Sequence, residues 1–300
     1  MQKLHLGAAQ CALDLGDGSE RAEYVNQDYI LHKLGRPHRA IGIMYTYYPH
    51  DKQWPQRISK ACKDMNITFQ WDYPYDDYFP FNADGQPWEQ MRDIRRHGQD
   101  AALTLTLDCS LSDDELREIA RMLRPYGRMT IRINHECGGT WFTHNKRFTY
   151  EQVGKFFAHF SDIIHQEAPN VRTVFCAGFA QADGKLEKED EFAVAYRAAD
   201  VWSADCYLAL HYGWPYDVAE VGGGQYKADS VDMYYDMFRR TYERASSQFG
   251  CKPLVTAEFN TDGDVTGPRH QGESVIRFAK AFRDHQADWF KAISLYQFRD

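Results

Sequence analysis

Two glutamates stand at the ends of apolar segments, a position from which side chains can do chemistry. Glu136 ends the segment MTIRINHE (129–136), and Glu258 lies near the end of PLVTAEF (253–259). If both segments are strands of one parallel barrel, their carboxyl ends lie on the same face and the carboxylates can converge. Two carboxyl groups can cleave a sugar bond, because one protonates the leaving oxygen while the other attacks the anomeric carbon or activates water. The sequence therefore predicts glycosidase chemistry at these residues.

The residues that precede Glu136 support this interpretation. Arg132 and Asn134 alternate with Glu136, so all three side chains point to one face of the strand. Burying an arginine, an amide and a carboxylate inside a barrel is costly unless they form a satisfied polar network. Such a network is typical of an active site, whereas a lone glutamate at a strand end is more often an ordinary residue of the barrel rim.

Short apolar or alternating segments recur along the chain, and helical patterns lie between them. Capping boxes formed by Ser112 with Glu115 and by Thr149 with Gln152 predict two helix starts. Further helical patterns cover 229–248 and 273–285. Strands that alternate with helices indicate a parallel sheet. The strand candidates are residues 4–11, 39–48, 67–73, 102–108, 129–136, 172–179, 201–210, 253–259 and 292–298.

We therefore expect an α/β fold, a single (β/α)8 TIM barrel, with residues 1–300 forming one catalytic domain. The nine candidates exceed the eight strand positions of such a barrel. The segment 102–108 is the one we rank lowest as a barrel strand, despite its alternating leucines. Because the chain stops just after 292–298, the last helix is expected to be absent or replaced at the C-terminus.

The composition is that of a globular protein with a surplus of aromatic residues. Hydrophobic residues make up 43% and charged residues 26%, which excludes a disordered or fibrous chain, while aromatic residues reach 15%. Aromatic rings beside acidic groups, as in WDYPYDDYFPF (71–81), suit a site for sugars. The net charge of −8 argues against nucleic acid as a partner, and no apolar run is long enough to span a membrane. The oligomeric state stays open.

The cysteines and the first residues bear on metal sites and on the compartment. Seven cysteines are scattered without a CxxC pair, so a zinc site of the finger type is not expected. Those at positions 11, 109, 137, 176 and 206 fall in or just after strand-like segments and are predicted to be buried free thiols. No signal peptide is visible in MQKLHLGAAQC (1–11), so both a cytoplasmic protein and a secreted one with its signal removed remain open.

The segment RINHECGGTWF (132–142) resembles the acid/base motif of glycoside hydrolase family 26, which reads R-x-x-H-E-x-N-G-x-W-F. The matching residues are Arg132, His135, Glu136, Gly139, Trp141 and Phe142, whereas Gly138 stands where the family has Asn. The resemblance continues in order over roughly residues 66–298. ITFQWDY (67–73) resembles the third strand, HGQD (97–100) an upstream element, SADCY (203–207) the strand with a tyrosine beside the nucleophile, and PLVTAEFN (253–260) the nucleophile strand.

This resemblance implies a retaining barrel enzyme that uses no metal or organic cofactor. It implies that Glu136 is the general acid/base, that Glu258 is the nucleophile and that Tyr207 donates a hydrogen bond to Glu258. His135 would orient the acid/base or the sugar, and Arg132 would supply positive charge beneath the pair. The expected sugar contacts are Trp71, Asp72, Tyr73, Trp141, Trp214, Tyr296 and Phe298. Gly138 is expected to leave space beside the acid/base that a different sugar or linkage could use.

The resemblance points to a polysaccharide or oligosaccharide with β linkages as the substrate. Cleavage within β-mannan is the first expectation, followed by β-1,3-xylan and mixed-linkage β-glucan. Two other functions stay open. A metal-dependent TIM-barrel hydrolase usually carries an H-x-H after its first strand, whereas LHLGAAQ (4–10) has only His5. A non-catalytic carbohydrate-binding barrel would need neither carboxylate, yet both are present.

Overall fold

The computed structural model of the chain describes residues 10–14, 26–35, 39–54, 86–139, 147–181, 183–208, 231–261 and 268–295. Eight parallel strands close into a barrel in chain order, and the last strand pairs with the first. The predicted TIM-barrel fold is confirmed. The strands are β1 (Gln10–Asp14), β2 (Ala40–Tyr47), β3 (Asp100–Leu107), β4 (Met129–Ile133), β5 (Val171–Phe179), β6 (Val201–Tyr207), β7 (Leu254–Asn260) and β8 (Phe290–Leu295).

Helices connect the strands, and the two capping boxes mark helix starts as predicted. The pattern at 229–248 corresponds to a helix at Val231–Phe249, whereas the one at 273–285 belongs to a helix that begins earlier, at Pro268. Ser112 accepts a hydrogen bond from the Glu115 backbone while the Glu115 side chain accepts one from the Ser112 backbone, and Thr149 and Gln152 form the same capping box. These reciprocal bonds satisfy backbone N–H groups that have no partner inside the helix. The helices of the described residues are α1 (Gln27–Leu34), α2 (Gln86–Arg96), α3 (Asp113–Met122), α4 (Tyr150–Glu167), α5 (Ala193–Ala198), α6 (Val231–Phe249) and α7 (Pro268–Asp284).

The low rank given to residues 102–108 is wrong, because this segment forms most of β3 and pairs with both β2 and β4. Its alternation follows from the polar centre of the barrel. Thr104 accepts a hydrogen bond from the buried Arg132, so it faces inward, and the leucines at 103, 105 and 107 are buried on the opposite face. The third strand is thus β3 and not 67–73, which lies outside the described residues.

Aromatic residues fill the layer between the barrel and its helices. Phe238, Phe278, Phe282 and Phe290 meet with ring centroids 3.9–6.2 Å apart, and most of these pairs are edge-to-face or tilted. Such pairs add about 0.5–1.5 kcal/mol beyond the burial of their area. Phe156, Phe157 and Phe238, all on helices, also belong to this core. Part of the aromatic surplus therefore serves packing.

Irregular pairing near the carboxyl ends of the strands shapes the mouth of the barrel. The register shifts between Cys176 and Phe179 where β5 meets β6, and between Ser203 and Cys206 where β6 meets β7. A bulge of this kind re-aims neighbouring side chains and is common beside active sites. The mouth is therefore where these strands can bring polar side chains together.

Two further expectations concern the thiols and the end of the chain. Cys137, Cys176 and Cys206 are buried free thiols as predicted, whereas Cys109 is free but half-buried. The residues after Leu295 lie outside the described part, so the expected lack of a closing helix stays a prediction. Among the described helices, none combines the length and the apolar character that crossing a bilayer requires.

Candidate active site

Glu258, on β7, is the residue on which the site converges. Its Oε1 lies 2.5 Å from Nη2 of Arg132 and 2.5 Å from Nε2 of His135, both at the carboxyl end of β4. Its Oε2 accepts a hydrogen bond of 2.8 Å from the hydroxyl of Tyr207, at the end of β6. Three donors from two strands thus hold the carboxylate in one orientation.

Arg132 crosses the barrel interior beneath these carboxylates. Its guanidinium donates to Thr104 Oγ1 at 2.9 Å, to Asp205 Oδ2 at 3.2 Å and to Glu258 Oε1 at 2.5 Å. The side chain is buried, so its charge has to be matched by these partners. A buried polar network is therefore present around Arg132. The expected alternation is wrong beyond Arg132, because β4 ends at Ile133 and both Asn134 and Glu136 lie in the turn that follows it.

The backbone that presents Glu136 is held in an uncommon conformation. Asn134 has φ of 60° and Glu136 has φ of 38°, a region that residues with a side chain seldom adopt. The turn is fixed by hydrogen bonds to both neighbouring strands: Leu107 N donates to Asn134 Oδ1 at 2.7 Å, and Cys137 N donates to the Cys176 carbonyl at 2.9 Å. Strain of this kind persists where the surroundings over-determine it, and it clusters at functional sites.

The two glutamates have opposite ionisation tendencies although both are buried, with 5% and 4% of their surfaces exposed. Burial raises the pKa of Glu136 well above its usual range, and the nearby Asp205 and Glu258 raise it further. Burial alone would raise the pKa of Glu258 too, but His135 and Arg132 hold it well below that range. The surroundings thus favour the protonated form of Glu136 and the ionised form of Glu258.

His135 places its Nε2 2.5 Å from Oε1 of Glu258. Burial lowers the pKa of His135, and this effect outweighs the opposing attraction of Glu258. The ring is positive only when it is protonated, whereas Arg132 supplies a permanent positive charge beside the same carboxylate. His135 therefore contacts the proposed nucleophile, whereas the resemblance had suggested that it orients the acid/base or the sugar.

Asp205 is a third carboxyl group in the site, and the sequence reasoning missed it. Its Oδ1 accepts from the Glu258 backbone N–H at 3.0 Å, its Oδ2 accepts from Cys176 Sγ at 3.4 Å, and its side chain is hydrogen-bonded to Glu136. Burial, followed by the charge of Glu258, raises the pKa of Asp205 to about 7. The signal that could have revealed it is the alternation of Ser203, Asp205 and Tyr207 along one face of β6.

The same side chains have the types that bind a divalent cation. His135, Glu136, Asp205 and Glu258 each offer a ligand atom, and these atoms lie within 4.8 Å of one another. Arg132 already donates to two of these carboxylates, Asp205 and Glu258. A protein cation therefore balances part of the negative charge that a bound metal ion would otherwise meet.

The space expected beside Gly138 is occupied, so this expectation is wrong. A Cβ atom at Gly138 would lie 2.5 Å from the Ala177 carbonyl oxygen and 3.0 Å from the carboxyl carbon of Glu187. Gly138 N–H also donates to the Ala177 carbonyl at 2.7 Å, so β5 packs directly against this turn. The missing side chain makes room for the backbone of β5 and for the carboxylate of Glu187.

The structure brings together five of the predicted site residues: Arg132, His135, Glu136, Tyr207 and Glu258. The other predicted residues lie outside the described part of the chain, and their roles stay predictions. They are Trp71, Asp72, Tyr73, Trp141, Trp214, Tyr296 and Phe298.

Comparisons by sequence found no relative. No protein-family model matches the chain, and no curated protein matches it. The resemblance to family 26 is therefore not confirmed at the level of sequence.

Solved structures with similar folds were found. A family 39 glycoside hydrolase from the gut symbiont Bacteroides cellulosilyticus WH2 matches 96% of this chain at a TM-score of 0.55 and 9% identity. A family 26 β-mannanase from Bacteroides ovatus matches 92% of this chain and 89% of its own chain, with a TM-score of 0.52 and 10% identity. The family 53 catalytic domain of Ignisphaera aggregans matches 98% of this chain and 86% of its own chain, with a TM-score of 0.50 and 12% identity.

Some of these matched structures are much longer than this chain, and all of them have low sequence identity to it. This chain spans 56% of the family 39 structure and 30% of a Bacteroides uniformis β-glucuronidase matched at a TM-score of 0.49. At identities of 9–12% the likeness concerns the fold. The chain has the TIM-barrel fold that these glycoside hydrolases also have.

Proposed function

We propose that this chain is a glycoside hydrolase that cleaves β-linked polysaccharides or oligosaccharides with retention of configuration. The observation that carries the proposal is the meeting of two buried glutamates at the mouth of the barrel, in surroundings that favour the protonated form of Glu136 and the ionised form of Glu258. Two carboxyl groups whose surroundings push their pKa values apart supply an acid and a nucleophile at the same pH. Residues 1–300 would form one catalytic domain.

The separation of the two groups supports retention. An oxygen of Glu136 and an oxygen of Glu258 lie within 4.8 Å of each other. Retaining enzymes hold their carboxyl groups about 5–5.5 Å apart, whereas inverting enzymes leave about 6.5–9.5 Å for a water molecule. This closeness supports the retaining arrangement over the inverting one.

The reaction proceeds through two displacements. In the first, a Glu258 oxygen attacks the anomeric carbon, the glycosidic C–O bond breaks, and the proton of Glu136 passes to the leaving oxygen. In the second, water attacks the anomeric carbon, Glu136 accepts a proton from that water, and the bond to Glu258 breaks. Arg132, His135 and Tyr207 hold Glu258 ionised and aligned before attack and stabilise it as the leaving carboxylate afterwards.

β-Mannan is the substrate we propose first, with β-1,3-xylan and mixed-linkage β-glucan next. Two observations support mannan: the family 26-like residues around Glu136 and the similar fold of a family 26 β-mannanase. Incubation of the purified protein with a panel of these polysaccharides, with products identified by mass spectrometry, tests the substrate. The anomeric form of the first product, followed by NMR, tests retention.

Glu258→Gln tests the proposed nucleophile. Because amide and carboxylate have nearly the same shape, E258Q should keep substrate binding in calorimetry while turnover falls below detection. Glu273→Gln, on the exposed surface of α7, is the matched control and should hydrolyse like the wild type. Unchanged hydrolysis by E258Q would rule out the role of Glu258. Loss of wild-type activity on treatment with a chelator, restored by a divalent cation, would favour the metal-dependent alternative.

A further inference from the structure

A carboxylate outside the catalytic cluster lies against the turn that carries Glu136. Glu187 belongs to the connection between β5 and α5, about fifty residues further along the chain. A Cβ atom at Gly138 would lie 3.0 Å from Oε1 of Glu187, and one at Gly178 would overlap Oε2. Two glycines, at the carboxyl ends of β4 and β5, therefore make room for this carboxylate at the mouth of the barrel.

The position of Glu187 is built into the fold. The hydroxyl of Tyr196, a buried residue of α5, donates to the Glu187 carbonyl at 2.8 Å and anchors its backbone. Gly178 has φ of 140°, which a residue with a side chain rarely adopts, so any side chain there would be strained as well as in conflict with Glu187. The residue is half-buried, with part of its surface reaching solvent.

We propose that Glu187 is a specificity-determining residue that accepts hydrogen bonds from hydroxyl groups of a neutral sugar beside the scissile bond and disfavours a uronate there. This inference rests on the proposed function. Gly138 is two residues from the acid/base, so a sugar whose linkage oxygen is protonated by Glu136 passes close to this carboxylate. Glu187 thereby sets the charge that the substrate can carry at this place.

The chemistry of a carboxylate explains both halves of this preference. Its two oxygens accept only, so they pair with the donor hydroxyls of neutral sugars. A uronate would bring a second negative charge into a site that already holds Glu258, Asp205 and Glu136. Like charges at close range disfavour the wrong partner and give specificity more than affinity.

The test compares wild type with Glu187→Gln and Glu187→Ala. The substrates are the neutral polysaccharide that the wild type hydrolyses best and a uronate-bearing counterpart of the same backbone. Glu191→Gln is the matched control, because Glu191 is exposed on the same connection. The readouts are kcat and KM on both substrates, the pH dependence of kcat, and the thermal unfolding temperature.

We expect the wild type and E191Q to favour the neutral substrate at least tenfold in kcat/KM. E187Q should narrow that ratio about tenfold, because the amide removes the charge and keeps the size. E187A should raise KM for the neutral substrate by about 10–100-fold, the range of one hydrogen bond to a charged group, with kcat and its pH profile close to wild type.

The outcomes separate this inference from the proposed function. If the wild type hydrolyses neutral substrates and E187Q keeps the wild-type ratio, the role of Glu187 is wrong while the enzyme assignment stands. If the wild type hydrolyses no member of the panel, the proposed function fails and this inference fails with it. If E187A unfolds at a much lower temperature, E187Q decides the question alone.

Discussion

Glu136 and Asp205 hold a proton between them, and this pairing sets the acid of the proposed reaction. The hydrogen bond between the two side chains raises the pKa of Glu136 and lowers that of Asp205, so Glu136 is the donor. Asp205 also accepts the backbone N–H of Glu258 and the thiol of Cys176, which fixes its orientation. Asp205 is thus a positioning residue that favours the protonated form of Glu136 until a bound sugar takes the place of Asp205 as the hydrogen-bond partner of Glu136.

Asp205→Asn should separate the effect of the Asp205 charge on Glu136 from the structural role of Asp205 in holding the backbone of Glu258. The amide oxygen can still accept from the Glu258 backbone, but the negative charge that favours protonated Glu136 is gone. The pKa of Glu136 therefore falls, and the basic limb of the pH profile of kcat/KM should move to lower pH. The loss of rate at neutral pH should be smaller than the ~10²–10⁴-fold that general acid catalysis contributes. A profile that falls uniformly without moving would contradict the proton-sharing role.

Among the elements, β4 and the turn after it do most of the positioning. β4 supplies Arg132, and the turn supplies His135 and Glu136, while bonds to β3 and β5 hold the turn in its uncommon conformation. The turn has no spare room, because Gly138 faces the backbone of β5 at 2.5 Å as well as the side chain of Glu187 at 3.0 Å. Small changes here should consequently be transmitted to the acid/base.

Gly138→Ala should show this tightness. The added methyl group would lie 2.5 Å from the Ala177 carbonyl oxygen, a distance that forces the turn or β5 to move. Overpacking of this kind typically costs about 1–3 kcal/mol of stability. We expect a lower unfolding temperature and a kcat reduced by at least tenfold, because Glu136 moves with the turn. Gly272→Ala, where a Cβ atom meets nothing within 4 Å, is the control. Equal kcat in both variants would show that the turn tolerates the shift.

Arg132 joins β4 to β3, β6 and β7, so its removal should weaken the contacts between these strands. Arg132→Met leaves the carboxylates of Asp205 and Glu258 buried without their cation. Breaking a buried ion pair by removing one partner costs about 3–5 kcal/mol. Unfolding in urea should reveal a loss of that size. Arg269→Met, at an exposed position of α7, should change stability by no more than about 0.5 kcal/mol. Similar midpoints for both variants would contradict the structural role of Arg132.

For the whole molecule, the sequence predicted the barrel and the centre of the site. The two strand-end glutamates and the two capping boxes each have a local physical cause that the sequence displays. The alternation expected at Arg132, Asn134 and Glu136 does not hold, because β4 ends at Ile133. β3 was ranked lowest despite its alternating leucines, a pattern that is unusual in a parallel sheet buried on both faces. It occurs here because the barrel centre is polar, a property of the assembled fold.

The parts that sequence reasoning missed depend on contacts between distant segments. Asp205 matters because bulges in β5 and β6 bring it to Glu136 and Glu258, and Glu187 matters because two glycines on other strands make room for it. Positive φ values at Asn134 and Glu136 likewise have no local sequence signal, since neither residue is a glycine. Such features arise from register and packing, which a single strand pattern does not encode.

The buried carboxyl groups also tie the stability of the whole protein to pH. Glu136 and Asp205 have pKa values raised by burial, so the folded chain keeps protons that the unfolded chain releases. Their contribution is present below the unfolded pKa and is lost as pH rises through the folded one, for Asp205 from 3.8 up to about 7. The contribution of Glu258 to stability changes with pH in the opposite direction. Because its pKa is lowered in the folded chain, that contribution is lost only as the pH falls into the acid range.

Glu136→Gln should therefore make the protein less sensitive to alkaline pH. Glutamine keeps the neutral shape that the folded site prefers and has no proton to release on unfolding. The free energy of unfolding of E136Q relative to the wild type should rise between pH 5 and pH 8, by at most about 1.4 kcal/mol per pH unit, and its relative unfolding temperature should rise with it. Glu273→Gln, on the surface of α7, should show a constant difference. If E136Q also showed a constant difference, the folded wild type would carry Glu136 ionised. The acid assigned to the proposed reaction would then have no proton to give at neutral pH.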